Sequence, residues 1–364
     1  MTPRRQGRRS TTIYSVANLA GVSIATVSRV LQGTRAASPQ TRANVLKAVE
    51  ELEYVPLRAA RSLAVQRHAA NGFVIPDLVG PYYSELLMGY ESAAAQFGQS
   101  VVIVVTNARE DPTRAVRELS SRVDGLVVAH STISDDAAGS IARQTPVVLL
   151  ARRAVAGCDA VSSENAQSAE ALTEHLLAHG RGRLMFVGDP EGSPDVDQRY
   201  GGFTRALLQA GVSAVGPALL VSYHEESGAE AATRVLGSAN RPDALFCAND
   251  ELALSMMKTL QSAGVSVPDD IAIVGWDDLM TARYVSPGLT TVRQPLYDLG
   301  RLAATRLHER IAGGPLVPEP LILPTELVLR ASCGCPEKDK RDEPWADEGG
   351  ITANGPSPTK KEQR

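Results

Sequence analysis

The chain has 364 residues, 43% apolar and 21% charged, an ordinary balance for a globular protein and enough length for two or more cores. No apolar run approaches the ~20 residues of a membrane helix, and no apolar stretch follows the charged N-terminus, so neither a spanning segment nor a secretory signal is expected and the expected location is the cytoplasm. The net charge of -4 hides an asymmetry: residues 1–67 carry 11 Lys/Arg against 3 Asp/Glu, and the remainder is strongly acidic. A basic head on an acidic body points to a polyanionic partner for the head alone.

In chain order, "MTPRRQGRR" reads as a basic flexible arm covering residues 1–11. Residues 12–53 read as three short helices. The first covers about Ser15 to Ala20 and stops at Gly21, and the second is capped by Ser23 and runs to Leu31. Ser38 and Pro39 then cap and open a third, with Val45, Leu46, Val49 and Leu52 as its apolar stripe. Helix, glycine turn, helix is a helix-turn-helix pattern. The second helix anchors itself through Val27, Val30 and Leu31, leaving Ile24, Ala25, Thr26 and Arg29 thin enough to enter a major groove. There Arg29 can donate twice to guanine, while Ile24 and Ala25 can touch thymine methyls. The bland alternative is a three-helix bundle with an exposed arginine. The segment "LRAARSLAVQRH" that follows is mildly helical and too short to be stable alone.

From Gly72 the pattern changes to short apolar runs separated by helical stretches of ten or more residues. The runs are "GFVIP" 72–76, "VVIVV" 101–105, "GLVVA" 125–129, "PVVLL" 146–150, "RLMFVG" 183–188, "ALFCA" 244–248 and "IAIVG" 271–275. Nearly continuous Val, Ile and Leu is the mark of buried parallel strands, so the fold class is α/β with doubly wound sheets. Sites in such sheets lie beyond the C-terminal strand ends, which directs attention to Asp77, Ala151–Arg153, Asp189 onward, Asn249–Asp250 and Trp276–Asp278. Asn249–Asp250 could equally cap a helix beginning at Glu251, and Asp277 could pair with Arg283 on the surface.

Cys158, Cys247, Cys333 and Cys335 are too few for a disulfide framework. The Cys-Gly-Cys at 333–335 lacks a second Cys/His pair at ligand spacing nearby in sequence, so no metal and no cofactor is expected. No nucleophile elbow, Walker loop or zinc signature appears, and His130, His175, His179 and His224 are expected to be surface or core residues rather than bases. An enzyme is therefore not expected. The tail from Pro336 to Arg364 is charged, rich in Gly and Pro, and expected to be disordered.

"TIYSVANLAGVSIATVSRVLQG", "SPQTRANVLKAVEELEYVP" and "AARSLA" closely resemble the head of the lactose-repressor/galactose-repressor family of transcription regulators. "RYGGF", "ANDELAL", "VGWDD" and "LTTVRQP" resemble that family's effector-binding core, in the same order, so the likeness spans about Thr12 to Leu329. It implies a helix-turn-helix domain at 12–56, a hinge helix and linker at 57–70, and a two-lobed, periplasmic-binding-protein-like core at 71–335, ahead of the 336–364 tail. It also implies a homodimer on a near-palindromic double-stranded operator, with no membrane partner. By resemblance, Ile24 and Ala25 choose the operator sequence, Arg29 contacts a base, and Thr12, Tyr14, Ser38 and Thr41 contact phosphate. Ser15 stands where the family commonly has aspartate. Arg61 and Leu63 fall in the hinge, Leu63 matching the leucine that wedges between base pairs of the minor groove. Arg199, Asn249 and Asp277 match effector contacts, Gln294 lies near the lobe crossover, and Tyr83 matches an aromatic that can stack on a ring. Asp77 and Arg152 complete the expected effector set. Ala151, where sugar binders often carry aspartate, departs from the pattern. A sugar is the expected effector, with a phosphorylated sugar or a nucleoside as alternatives, and a sugar-binding protein without DNA function is the competing class.

Overall fold

A computed structural model describes residues 12–31, 37–54 and 68–336. Helices α1 (Ile13–Ala20), α2 (Ile24–Leu31) and α3 (Pro39–Glu51) enclose a small core centred on Val16, Val27, Val30, Val45 and Ala48. Gly21, at φ 66°, ends α1, and the chain turns by 101° into α2. Ser23 Oγ accepts from Thr26 N–H at 3.2 Å and Ser38 Oγ from Thr41 N–H at 3.2 Å, so both caps satisfy a first-turn donor. The expected stripe of α3 is corrected at Leu46, which is 48% exposed. At 100° per residue, positions 45, 48, 49 and 52 share a face and 46 falls outside it, so Ala48 takes the inner place.

Beyond the head, β1 (Ala70–Ile75), α4 (Tyr82–Gln96), β2 (Ser100–Val105), α5 (Pro112–Ser120), β3 (Gly125–Ala129), α6 (Asp135–Ala142), β4 (Val147–Leu150) and β5 (Asp159–Ser163) build a first lobe. A second follows from α7 (Ala166–Ala178), β6 (Leu184–Val187), α8 (Pro194–Gln209), α9 (Glu225–Leu236), β7 (Ala244–Cys247), α10 (Asp250–Ser262) and β8 (Ala272–Val274). The chain then makes β9 (Thr291–Arg293), α11 (Leu296–Ile311), β10 (Leu321–Leu323) and β11 (Glu326–Val328). The first lobe's sheet has order β10-β5-β4-β3-β1-β2 and the second's β6-β7-β8, every pairing in both being parallel. This is the doubly wound α/β fold read from the sequence, and all seven apolar runs are strands. Strands β5, β9, β10 and β11 are additional.

Helix α11 returns to the first lobe and lies on α4. A Cβ at Gly89 would sit 1.8 Å from Tyr297 O, and one at Gly300 1.9 Å from Leu86 O, so only glycine allows this approach. The chain crosses between lobes three times, after β5, before α11 and after β10. Ser163 Oγ donates to Gln294 Oε1, joining the first and second crossings, and Glu164 N–H donates to Leu323 O at 2.8 Å, joining the first and third. No single helix among the described residues is long and apolar enough to cross a membrane.

Candidate functional site

On the head, Ile24, Ala25 and Arg29 are exposed on α2 and Thr26 is half-buried beside them. Arg29 Nε donates to Ala25 O at 3.2 Å, which lays the arginine stem along that face. Tyr14 is 65% exposed, Ser38 is exposed, and Thr12 and Thr41 are half-buried, so these groups flank the α2 face at the starts of α1 and α3. Ser15 Oγ accepts from Thr12 N–H at 3.4 Å, filling the capping role that an aspartate would fill with a full charge. Arg61 and Leu63 lie outside the described residues.

Between the lobes lies a cavity of about 180 Å³ at the C-terminal ends of both sheets. Five of the seven expected effector residues line it: Asp77, Tyr83, Arg199, Asn249 and Asp277. Asp77 follows β1 and accepts from Val79 N–H (3.0 Å) and Asn107 Nδ2 (3.2 Å). Asn249 both lines the cavity and caps α10, its Oδ1 accepting from Leu252 N–H at 3.1 Å while Nδ2 donates to Tyr223 O at 3.0 Å. Arg199 is buried, its guanidinium 4.5 Å from the Trp276 ring centre. Its Nε donates to Asn165 Oδ1 (2.8 Å) and Nη1 to Ala248 O (2.7 Å), two bonds that fix the guanidinium at the cavity wall.

Asp277 is buried, not paired with Arg283, and sits at φ 120°, with Asp278 at φ 57°. Positive φ at two consecutive non-glycine residues is strained and has to be held by its surroundings. Three groups of contacts hold it. Gln294 Nε2 donates to Asp277 Oδ1 at 2.6 Å. Asp278 is clamped between Arg293 (2.8 Å) and Arg330 (2.7 Å). Beneath, buried Asp250 accepts from Leu279 N–H and Thr291 Oγ1.

Two expected residues stand elsewhere. Gln294 does not line the cavity; it is buried behind Asp277 and joins it to Ser163 at the crossover. Arg152 is drawn away by an ion pair with Asp135 and lines an adjoining recess of about 460 Å³. It is Arg153 that reaches across the cleft mouth, its Nη2 2.7 Å from Asp197 Oδ2 of the second lobe.

The sequence reading missed Tyr82, Asn107, Ser131, Tyr223 and Glu251 as lining residues, and treated His130 and His224 as surface or core, whereas Asp195 lies in the stretch after Asp189 to which the strand-end rule pointed. The strand-end rule, applied also to β2 and β3, points to Asn107, His130 and Ser131. Burial holds the His130 imidazole down at about 4, with Arg199 and Arg152 adding to the effect, so it is neutral. Burial raises the Asp195 carboxyl above its usual range, Arg199 opposing, and raises Asp277 for the same first reason, with Arg199 and Gln294 opposing. Burial likewise lifts Asp250, and Asp277 beside it lifts it further. Tyr83 Oη and His130 Nδ1 are buried with no hydrogen-bond partner, although both residues line the cavity.

Away from the cavity, the Cys-Gly-Cys run does have a second ligand pair, which corrects the expectation from sequence spacing. His175 and His179, one turn apart at the end of α7, bring their nitrogens to within 4.8 Å of both sulfurs.

A helix-turn-helix head joined to a clefted two-lobed sensor defines a class: DNA-binding regulators whose core is built like a solute-binding protein. Residues 12–56 match the profile described as "Bacterial regulatory proteins, lacI family", and residues 173–333 match "Periplasmic binding protein-like domain". The chain is 32% identical over 329 residues to the HTH-type transcriptional repressor PurR of Photobacterium profundum, covering 88% of this chain and 98% of the relative. It is 32% identical over 322 residues to the ribose operon repressor of Halalkalibacterium halodurans, covering 88% and 96%. A crystal structure of the lac repressor dimer bound to operator and the anti-inducer ONPF superposes with a TM-score of 0.80 at 28% identity, covering 89% and 99%. The chain belongs to the LacI family; it is a DNA-binding transcription regulator, and the relatives are regulators rather than enzymes.

Proposed function

We propose that the protein is a cytoplasmic, nucleoid-associated repressor that binds a near-palindromic operator as a homodimer and is controlled by a small sugar in the interlobe cavity. The observation that carries the effector reading is the pair of orphaned, buried polar atoms, Tyr83 Oη and His130 Nδ1, on two residues that line a cavity shared with Asp77, Asp277 and Arg199. Buried polar atoms without partners cost stability unless something supplies the bonds, and a polyhydroxyl ligand supplies both donors and acceptors. The likeness to a ribose operon repressor supports a sugar. One observation favours a phosphorylated sugar as the second reading: Arg152 Nη1 is buried without a partner beside a recess that shares His130, Ser131 and Ser193 with the cavity.

In this reading the units are an arm at 1–11, a DNA-binding domain at 12–56, a hinge and linker at 57–70, a sensor at 71–335 and a tail at 336–364. Ile24, Ala25, Thr26 and Arg29 read bases, and Thr12, Tyr14, Ser38 and Thr41 hold phosphates. Arg61 and Leu63 enter the minor groove when two hinges dock together. Ligand pulls the lobes closed on Asp77 and Tyr83 from one side and Asp277, Asn249 and Arg199 from the other. Gln294, bonded to Asp277 and to Ser163, carries that closure to the crossovers and shifts the population between DNA-binding and released states.

A thermal-shift series with the full chain tests the effector. Monosaccharides, sugar phosphates and nucleosides are the arms, and one class is expected to raise the melting temperature, a ligand at 100 times its dissociation constant adding ~2.7 kcal/mol. No shift in any arm overturns the cavity as a sensor.

The dimer has its own support. Strand β2 is a sheet edge with Val102 39% and Ile103 37% exposed, the kind of apolar edge that a second copy covers. Ile103→Asp is expected to convert a sedimenting dimer to monomer and to weaken operator binding more than tenfold. A variant that stays dimeric shows that the interface lies elsewhere.

A further inference from the structure

His175 on α7, His179 at its C-cap, and Cys333 and Cys335 near the end of the described chain meet at the base of the second lobe. The lobe's own core cluster holds Leu172 and Leu176 of α7 together with Cys333 and, at its margin, Cys335. His175 Nε2 lies 3.3 Å from Cys333 Sγ and 3.4 Å from Cys335 Sγ, and Cys335 Sγ is also 3.4 Å from His179 Nε2. Hydrogen bonds alone do not explain this convergence. A neutral imidazole nitrogen offers either one proton or one lone pair, yet His175 Nε2 faces two sulfurs at nearly equal distance.

We propose that these four side chains form a structural zinc site. Bond lengths of about 2.3 Å to sulfur and about 2.05 Å to nitrogen give a tetrahedral sulfur–nitrogen edge of about 3.6 Å, and the three measured edges lie slightly inside it. Two imidazoles and two thiolates are the donor set that selects zinc over harder cations. The local structure is suited to it. An i, i+4 histidine pair shares one helix face. Gly334, at φ 108°, turns the backbone so that both flanking sulfurs face α7; a Cβ there would be strained by that angle and would lie 3.4 Å from His179 Nδ1. Around Cys333 Sγ stand Thr290 Oγ1 at 3.1 Å and Arg330 O at 3.2 Å, and the one Thr290 hydroxyl proton, which can also go to Arg330 O at 2.8 Å, is free to turn to the sulfur once the thiol proton is lost.

The charge balances too. Binding releases the two thiol protons, and a dication with two thiolates and two neutral imidazoles has no net charge, so a fully buried Cys333 is left with no uncompensated ion. The zinc would staple the segment after β11 to α7, closing a loop of more than 150 residues that takes in β6 to β8 of the second lobe. It would hold together the wall that carries Arg199 and Asp277 without touching either.

The test uses the untagged full chain, purified without chelator. One zinc per chain by elemental analysis is expected, falling below a tenth in Cys335→Ser and in His179→Ala and unchanged in Cys158→Ala. Cobalt(II) added to the demetallated wild-type chain is expected to give the intense visible bands of a tetrahedral site with sulfur-to-metal charge transfer, which keeps the proposal testable if a variant fails to fold. Chelation should lower the melting temperature of wild type and leave that of Cys335→Ser unmoved. A chain with less than a tenth of a zinc after dialysis against zinc, cobalt spectra of an octahedral aquo ion, or a Cys333–Cys335 disulfide in the freshly purified protein would each overturn it.

Discussion

Replacing Arg29 by alanine is expected to weaken binding to a selected operator by ~1–3 kcal/mol while leaving binding to unrelated duplex almost unchanged. The residue is exposed on the face of α2 opposite Val27 and Val30, and its Nε bond to Ala25 O directs the guanidinium along the helix. An arginine so placed can donate two parallel bonds to guanine, and that pairing carries base identity, whereas a lysine or arginine on a phosphate carries charge alone. Losing it should therefore change the ratio between operator and random DNA and alter the salt slope by no more than about one ion. Folding is not the confounder: an exposed substitution stays within about 0.5 kcal/mol. The measurement is anisotropy with an operator that the wild-type chain has selected from a random pool, at two salt concentrations. Equal losses on both DNAs would make Arg29 a phosphate contact or a solvated side chain.

The head was largely legible because its signals are local. Caps at Ser23 and Ser38, the stop at Gly21 and the Val27–Val30 spacing each depend on a few neighbouring residues. Leu46 shows where that fails: its composition suits a core, but helix phase places it outside. Seven strands were visible as Val/Ile/Leu runs. β5, "DAVSS", and β9, "TVR", were not, because they lack a continuous Val/Ile/Leu run and carry polar side chains that make bonds such as Ser163 to Gln294. The strand-end rule found Asp77, Asn249 and Asp277, which are near their strands in sequence. It misled on Arg152, where a partner on α6 decides the direction; Gln294, named only by resemblance, does stand at the lobe crossover, but behind Asp277 rather than on the cavity. The His175–Cys335 cluster could not be seen at all by sequence spacing, since only the packing of the second lobe joins its halves.

Asp277→Asn is expected to stabilise the ligand-free protein and to destroy its response to effector, two effects of opposite sign from one oxygen-to-nitrogen change. Burial holds the Asp277 carboxyl above its unfolded range. A raised carboxyl favours folding fully below the unfolded value of about 3.9, and that contribution is lost as pH climbs through the higher folded value. At pH 8 the ionised group therefore costs stability, on the order of 1–3 kcal/mol, and the uncharged amide removes that cost. Packing should survive, because Asn Oδ1 can still accept from Gln294 Nε2 and asparagine tolerates the left-handed backbone as readily as aspartate. The ligand-free melting temperature should then rise by several degrees at pH 8, at roughly 2–4 °C per kcal/mol, with the gain shrinking toward pH 4. Binding moves the other way. A carboxylate accepts charge-assisted bonds worth ~1.5–3 kcal/mol each from ligand hydroxyls, and the amide offers one weaker acceptor, so effector affinity should fall about tenfold to more than a hundredfold. The change that effector makes in operator affinity should disappear at concentrations that act on the wild type, while operator affinity without effector is unchanged. A lower ligand-free melting temperature at pH 8 would mean that Asp277 is held as a structural anion by Arg199 and the Gln294 relay, and that the cavity recognises its ligand through Asp77 and Asp195 instead.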